Sequence, residues 1–343
     1  MRNLHKAGAL TLFLALLVPA TVQIFSERAP ISAAEKRALE PPPAWPRRLR
    51  DWSALTSGLD RFARDHFGLR EPLAAGWGLL KYALRYTPRV AVGRDGWLYF
   101  PQYWGSKYGV RGCGPLSGEV RSLAARLDRL AARAARSGVT VLLAIAPDKE
   151  TIYPEYMPEG PAAVGCDLDA ELMAALQRAK TVDLRAALGA RKAKEQVYFR
   201  TDSHWNDVGG WHAARTLLEG GCPPGASCAT LPEPRLTTKI LGGDLAGLIG
   251  LASVLTERYA AVEVPEARHS GRRLVVVGDS FAKSIVRFLA YDESVGEAAF
   301  VDHAEGRVEF APIVASKPDV ILILIVERYL YDRELLRSLA AGF

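Results

Sequence analysis

Three short runs of almost uninterrupted aliphatic residues constrain the fold of this chain more than anything else in it. They are Val139-Thr-Val-Leu-Leu-Ala-Ile-Ala146, Leu274-Val-Val-Val277 and Val320-Ile-Leu-Ile-Leu-Ile-Val326. A strand wetted on one face alternates apolar with polar residues. These runs do not, so each is expected to be a central strand covered on both faces. The stretches between them carry helical periodicity; Ser117 to Ser137, for instance, places Val120, Leu123, Leu127 and Leu130 on one face. Strands alternating with helices predict an α/β fold, a mostly parallel sheet with helices on both faces. A chain of 343 residues is long enough to bury such a sheet and smaller additions. Upstream, two helices are expected at about Trp52 to Arg64 and Pro72 to Tyr86, joined by Asp65-His-Phe-Gly-Leu-Arg70. Val90 to Phe100 reads as a hairpin, with Gly93, Asp95 and Gly96 at its turn.

Site loops in open parallel sheets lie beyond the carboxyl ends of the strands. After Val277 come Gly278, Asp279 and Ser280, and from Phe281 the apolar residues Phe281, Ile285, Phe288 and Leu289 recur at helical spacing. Strand, tight turn and helix start put a serine hydroxyl beside backbone N–H groups, which suits a nucleophile and an oxyanion hole. Asp279 and Ser280 also suit a plain helix cap, and this stretch alone leaves both readings open. Arg200-Thr-Asp-Ser-His-Trp-Asn206 supplies what a serine nucleophile requires: His204 as base and Asp202, two residues before it, as the carboxylate that orients the imidazole. Asn206 and Asp207 can cap a helix with an apolar face of Val208, Trp211, Ala214, Leu217 and Leu218, ending at Gly220-Gly221. The plainer reading makes His204 a partly buried structural histidine and Asp202 a turn residue. Pro147 to Glu150 and Glu327 to Tyr329 follow the other two strands and are candidates for substrate contact. Asp148 and Lys149 equally fit a solvated turn, and Arg328 a simple ion pair. Gly242-Gly243-Asp244-Leu245 is a further loop whose glycines let backbone N–H groups approach an oxyanion.

A net charge of +6 is spread among Arg, Lys, Asp and Glu with no basic run interleaved with aromatics, so nucleic acid is not an expected partner. The mild positive balance suits an anionic polysaccharide or a membrane face, or is plain Arg-rich composition. Residues 1–28 read as a signal anchor: Arg2, His5 and Lys6 precede an apolar run from Ala7 to Phe25, interrupted by Pro19. A cleaved signal peptide is the other reading, with only a weak site at Val18 to Val22. The basic end belongs in the cytoplasm and everything after Glu27 outside. Residues 29–50, with Pro41-Pro-Pro43 and Pro46, read as a stiff spacer. Four cysteines fit an oxidising compartment, pairing as Cys222 with Cys228 and Cys113 with Cys166. No Cys/His cluster has zinc spacing, so neither metal nor cofactor is expected.

Taken in order, Asp65-His-Phe-Gly-Leu-Arg70, Gly93-Arg-Asp-Gly-Trp-Leu-Tyr99, Pro147-Asp-Lys149, Ile152-Tyr-Pro154, Thr201-Asp-Ser-His-Trp205, Gly243-Asp-Leu245, Gly278-Asp-Ser280 and Glu327-Arg-Tyr-Leu330 resemble the AlgX/AlgJ-like family of alginate O-acetyltransferases. The likeness runs from about Trp52 to Leu330. Residues 51–343 are then expected to form an SGNH hydrolase-like acetyltransferase domain with a permuted order of site blocks, because Asp202-x-His204 precedes Ser280 instead of following it. The resemblance implies Ser280 as nucleophile, His204 as general base and acid, and Asp202 as its orienting carboxylate. Lys149, Arg200, Trp205, Gly243, Asp244, Arg328 and Tyr329 are the expected substrate or oxyanion contacts. It further implies a periplasmic location, anchored at the inner membrane, a polysaccharide acceptor and an acetyl donor supplied through a membrane-bound O-acyltransferase. No carbohydrate-binding module of the AlgX kind is evident, which favours the anchored AlgJ-like form, and the usual SGNH asparagine has no clear equivalent. A deacetylase using the same three residues remains open. So does a non-catalytic polysaccharide-binding component using Trp97, Trp104, Trp205 and Tyr329 as stacking platforms.

Overall fold

The structure, a computed structural model, describes residues 51–108, 114–158, 166–221, 231–264, 271–303 and 308–342, with scattered positions before residue 51. Most of the apolar run from Ala7 to Phe25 lies outside the described residues, and no described helix is long and apolar enough to cross a membrane. Cys166 is not a free thiol. Cys113, its expected partner, lies outside the described residues, as do Cys222 and Cys228, which were expected to pair with one another.

Nine strands are found among the described residues: β1 (Ala91–Val92), β2 (Leu98–Tyr99), β3 (Thr140–Ala146), β4 (Lys180–Val182), β5 (Arg235–Leu241), β6 (Glu257–Glu263), β7 (Arg272–Gly278), β8 (Val295–Asp302) and β9 (Val320–Val326). Five of them form an all-parallel sheet in the order β4-β3-β9-β7-β8. The three aliphatic runs are its central strands. β9, last in sequence, lies between β3 and β7 and pairs with β3 along all seven residues, from Thr140 opposite Val320 to Ala146 opposite Val326.

Burial on both faces follows from how alternate side chains divide. Leu142, Ala144 and Ala146 of β3 and Leu322, Leu324 and Val326 of β9 point into one core with Trp211, Phe281, Ile285 and Phe288. Val141, Leu143, Ile145, Ile321, Ile323 and Ile325 point into the other with Val120, Leu123, Leu127 and Leu130. The long helix under that second core spans Gly114–Ala135 and so starts before the expected Ser117. β1 and β2 form the expected antiparallel hairpin, with Asp95 (φ 51°) and Gly96 (φ 76°) both left-handed at the turn.

The chain divides into two compact units: Met1–Val90 with Leu241–Thr256, and Ala91–Ile240 with Glu257–Phe343. The sheet belongs to the larger. The smaller contains helices Trp52–Asp65, Arg70–Ala83 and Asp244–Leu248.

Gly278 closes β7 at a point where no side chain fits. A Cβ there would stand 2.4 Å from the Ala282 Cβ and 2.9 Å from the Leu324 carbonyl oxygen. Gly278→Ala is therefore expected to cost about 1–3 kcal/mol of stability, as overpacking against backbone does. Denaturant unfolding checks this; an unchanged midpoint would show that β9 gives way freely.

Candidate functional site

The carboxyl ends of β3, β9 and β7 lead into Asp148–Lys149, Glu327–Arg328 and Asp279–Ser280, three neighbouring loops because their strands are neighbours. Asp279 does serve as a cap: its Oδ1 accepts the Phe281 N–H at 2.9 Å, and helix Ser280–Leu289 begins directly after it. Ser280 is left exposed at the first helical position. Below it Phe281 is fully buried, and the His204 ring rests on it with centroids 4.7 Å apart.

His204 arrives on a tight loop. Tyr198 and Trp205 form an isolated antiparallel bridge, the Phe199 N–H donates to the His204 carbonyl, and the Asn206 N–H donates to the Val197 carbonyl at 3.0 Å. Asn206 then caps helix Asp207–Gly220 by accepting the Gly209 N–H. Asp207 is used elsewhere, accepting from the Val262 N–H and pairing with Arg287. The loop thus folds back before a rigid helix begins, which leaves the His204 ring projecting from a fixed stem.

Asp202 Oδ1 lies 2.7 Å from His204 Nδ1 and also accepts the His204 backbone N–H at 3.0 Å. His204 Nε2 lies 2.7 Å from Ser280 Oγ. An ionised carboxylate only accepts, so Nδ1 carries the proton and Nε2 is left to accept from the serine hydroxyl. Three residues spread over 79 positions of sequence therefore form one line of hydrogen bonds. Such an arrangement can move a proton off Ser280 and return it.

Lys149, expected at the substrate, is placed otherwise. Its side chain is buried, and Nζ donates to the carbonyls of Phe199, Arg200 and Asp202 at 3.1, 3.1 and 2.7 Å, with the rings of Trp97 and Tyr99 over it. It clamps the loop that carries Asp202. The solvated-turn reading of Asp148 and Lys149 fails for the same reason, since both are buried. Arg328 takes the ion-pair alternative: Nη1 donates to Asp148 Oδ1 at 3.0 Å while the guanidinium covers the Phe281 ring. Trp205 is buried, edge-on to Phe281, with its indole N–H given to Ser284 Oγ, so it offers no face to a sugar. Trp97 is likewise buried, stacked on Tyr156. Arg200 is partly exposed, its Nε 3.9 Å from Glu257, and Tyr329 is half-buried beside His303. Gly243 and Asp244 open helix Asp244–Leu248 in the smaller unit.

Two supporting residues had no signal in the sequence. Glu257, at the start of β6, collects the N–H groups of Arg200 and Thr201, the Thr201 hydroxyl and the Gln196 amide. Lys107 is buried with its ammonium 2.6 Å from Glu327 and 2.7 Å from Thr151 Oγ1. Glu327 in turn accepts the Asp148 N–H at 2.7 Å and the Thr151 hydroxyl at 2.6 Å. Burial works against both charges, but each holds the other: Lys107 stays well above the usual lysine range, and Glu327 is held below the usual carboxylate range. Burial beside Glu150 pushes the Asp148 carboxyl up. The site loops therefore stand on a buried ionic cluster.

A parallel α/β sheet with serine, histidine and aspartate joined at the carboxyl ends of its strands places the molecule in the SGNH hydrolase-like class. Within that class, the family model for the SGNH hydrolase-like domain of the acetyltransferase AlgX matches residues 90–291, and the chain belongs to that family. The curated relatives include the probable alginate O-acetylase AlgJ of Pseudomonas putida KT2440, 28% identical over 181 residues, which are 50% of this chain and 46% of that protein. The protein described in the same words from Pseudomonas aeruginosa PAO1 is 32% identical over 147 residues, 41% of this chain and 36% of that one. The chain thus spans less than half the length of these relatives. Among solved structures, the O-acetyltransferase domain of Pseudomonas putida AlgJ matches 73% of this chain and 98% of its own at 22% identity and a TM-score of 0.46. A DHHW family protein from Eubacterium siraeum matches 64% of this chain and 88% of its own at 17% identity and a TM-score of 0.51, a likeness of fold alone.

Two substitutions separate the loop clamp from the buried cluster. Lys149→Met releases three carbonyls from the Asp202 loop, and misplacement by about 1 Å costs on the order of 10²-fold in rate. The expected result is a fall of that order in turnover of an aryl acetate with the fold intact by circular dichroism. Lys107→Met leaves buried Glu327 with only the more distant Arg185 guanidinium, at 3.7 Å, and urea unfolding is expected to show a loss of about 3–5 kcal/mol.

Proposed function

We propose that this protein is an O-acetyltransferase that carries an acetyl group on Ser280 and delivers it to a hydroxyl of an alginate-like exopolysaccharide. The observation that carries the reading is the 2.7 Å contact between His204 Nε2 and Ser280 Oγ, with Asp202 on the other ring nitrogen, in a chain of this family. The names of the relatives supply the acceptor class.

In the first step His204 Nε2 takes the hydroxyl proton as Ser280 Oγ attacks the acetyl carbonyl carbon. The tetrahedral intermediate collapses when the donor's leaving oxygen recovers that proton from the imidazolium, leaving acetyl-Ser280. In the second step a sugar hydroxyl gives its proton to Nε2 and attacks the ester. Collapse returns the proton to Ser280 Oγ and frees the acetylated sugar. Asp202 keeps Nδ1 protonated and stabilises the imidazolium in both halves. The oxyanion is assigned to the Ser280 backbone N–H at the helix start, with Arg200 and Tyr329 as acceptor contacts. Oxyanion donors of this kind contribute about 3–4 kcal/mol each.

The reading extends to the whole chain. The apolar run at residues 7–25 tethers the protein to the outer face of the inner membrane, residues 29–50 space it away, and a membrane-bound O-acyltransferase supplies the acetyl group. Disulfides between Cys113 and Cys166 and between Cys222 and Cys228 suit that compartment.

Incubation with an aryl acetate, followed by peptide mass spectrometry, is expected to find one acetyl group on Ser280, and addition of a polysaccharide acceptor should discharge it faster than water does. Ser280→Ala should abolish the adduct and lower turnover by about 10⁴-fold or more. Acetyl transfer retained by Ser280→Ala would refute the mechanism. Discharge to water alone would make the protein an esterase.

A further inference from the structure

The exposed apolar side chains of this protein are unevenly shared. Of the large apolar residues that stand exposed among those described, only Leu236 and Ile240 belong to the larger unit; of the sixteen in the smaller, three (Phe13, Leu17 and Val18) lie in the apolar run at residues 7–25 and thirteen lie outside it. Single exposed leucines are ordinary surface, whereas their concentration on one body marks a surface that meets something.

Helix Arg70–Ala83 and the residue that follows it show the pattern most plainly. Leu73, Trp77, Leu80 and Leu84 are 60%, 60%, 49% and 69% exposed. Spacings of four, three and four bring them to within about 60° of one another around the helix, a single stripe along its length. The residue that this helix buries is Gly78, off that stripe, whose bare Cα lies against the Ile249 carbonyl and the Leu251 side chain. The helix therefore packs through a glycine and turns its leucines and tryptophan outward, the reverse of what an amphipathic helix does in a self-contained body.

The surroundings of the stripe identify what it meets. Lys81 Nζ sits 5.9 Å from the centre of the Trp77 ring, and exposed Arg85, Tyr86 and Arg89 follow the helix end. Residues 26–90 contain twelve Lys and Arg against seven Asp and Glu. Leucines flanked by tryptophan and tyrosine, with cationic side chains reaching past them, are the signature of a helix lying in the plane of a bilayer interface that carries anionic headgroups. The apolar run Ala7 to Phe25 precedes this helix in the same chain.

We infer that the face formed by Leu73, Trp77, Leu80 and Leu84 seats on the surface of an anionic lipid bilayer, with Lys81, Arg85 and Arg89 at the headgroups. This rests in part on the tether proposed above and goes beyond it. A single apolar tether leaves the unit free to swing, whereas a second contact by this face holds it against the membrane, and the tether keeps the local concentration of the face high.

The test uses the full chain reconstituted into phosphatidylcholine–phosphatidylglycerol vesicles whose acyl chains are brominated. Flotation reports attachment, and bromine quenching reports which tryptophans reach the acyl boundary. Quenching of the wild type is expected, with loss of a quenched component in Trp77→Phe and weaker quenching in Leu80→Glu. Both variants should retain wild-type aryl acetate turnover. A chain that floats but quenches identically in wild type and Trp77→Phe overturns the lipid seat and leaves the tether standing. Failure to float overturns both. Trp77 quenching that fails in vesicles, with a photo-crosslinker at position 77 capturing a membrane protein in cells, overturns the lipid seat in favour of a protein partner. Trp77→Phe is conservative at an exposed position, so the test stands even if Leu80→Glu misfolds.

Discussion

The line of hydrogen bonds from Asp202 through His204 to Ser280 joins two loops 76 residues apart, and nearly every unusual feature of the larger unit keeps those loops in register. A hydrogen bond of this sort is lost within a few tenths of an ångström, so both ends need fixed stems. Ser280 has one because β7 is buried in the sheet and Asp279 starts the helix at once. The His204 side has no strand of the large sheet beneath it. Its stem is built from polar groups instead: the Lys149 ammonium holds three carbonyls from one side, and the Glu257 carboxylate holds two N–H groups and a hydroxyl from the other. A cation on carbonyls and an anion on amides match the polarity of the backbone at each place, so an irregular loop is left with its groups satisfied.

The buried cluster of Lys107, Glu327, Asp148 and Arg328 extends the same logic one layer down. Charges taken from water are costly unless paired and hydrogen-bonded, and removal of one partner costs far more than the pair contributes. Here Glu327 ties the end of β9 to the Asp148 backbone and to Lys107, while Arg328 ties it to the Asp148 carboxyl and covers Phe281, on which His204 rests. The ends of β3 and β9 are thereby joined by ionic contacts as well as by their ladder. Position, more than any single strong bond, is what these groups supply to the site.

The sequence revealed most of the sheet and the three residues in line, and the reasons it revealed no more are physical. Strands covered on both faces betray themselves by uniform apolarity, so β3, β7 and β9 were readable; Lys180-Thr-Val182 and the mixed Val295 to Asp302 run, at the sheet edges, were not. Ser280, His204 and Asp202 stood out because their chemistry is scarce and their spacing fits one use. Lys149 and Trp205 end buried, on carbonyls and on Ser284, and Arg328 takes the ion pair that was its other reading, because a sequence does not say whether a cation or an indole ends in solvent, on a carbonyl or on a neighbouring serine. Glu257 and Lys107 were invisible: each is an isolated charge in an ordinary context, and its partners come from loops distant in the chain.

The central claim is that His204 makes the Ser280 oxygen a nucleophile while Asp202 sets the imidazole. The most direct measurement is the rate at which an arylsulfonyl fluoride labels the protein, followed by intact mass in the wild type and in His204→Ala and Asp202→Asn. A single sulfonyl group on Ser280 is predicted, forming orders of magnitude more slowly without the imidazole and more slowly with it misoriented. Equal labelling rates in all three proteins, or labelling at another residue, would contradict it.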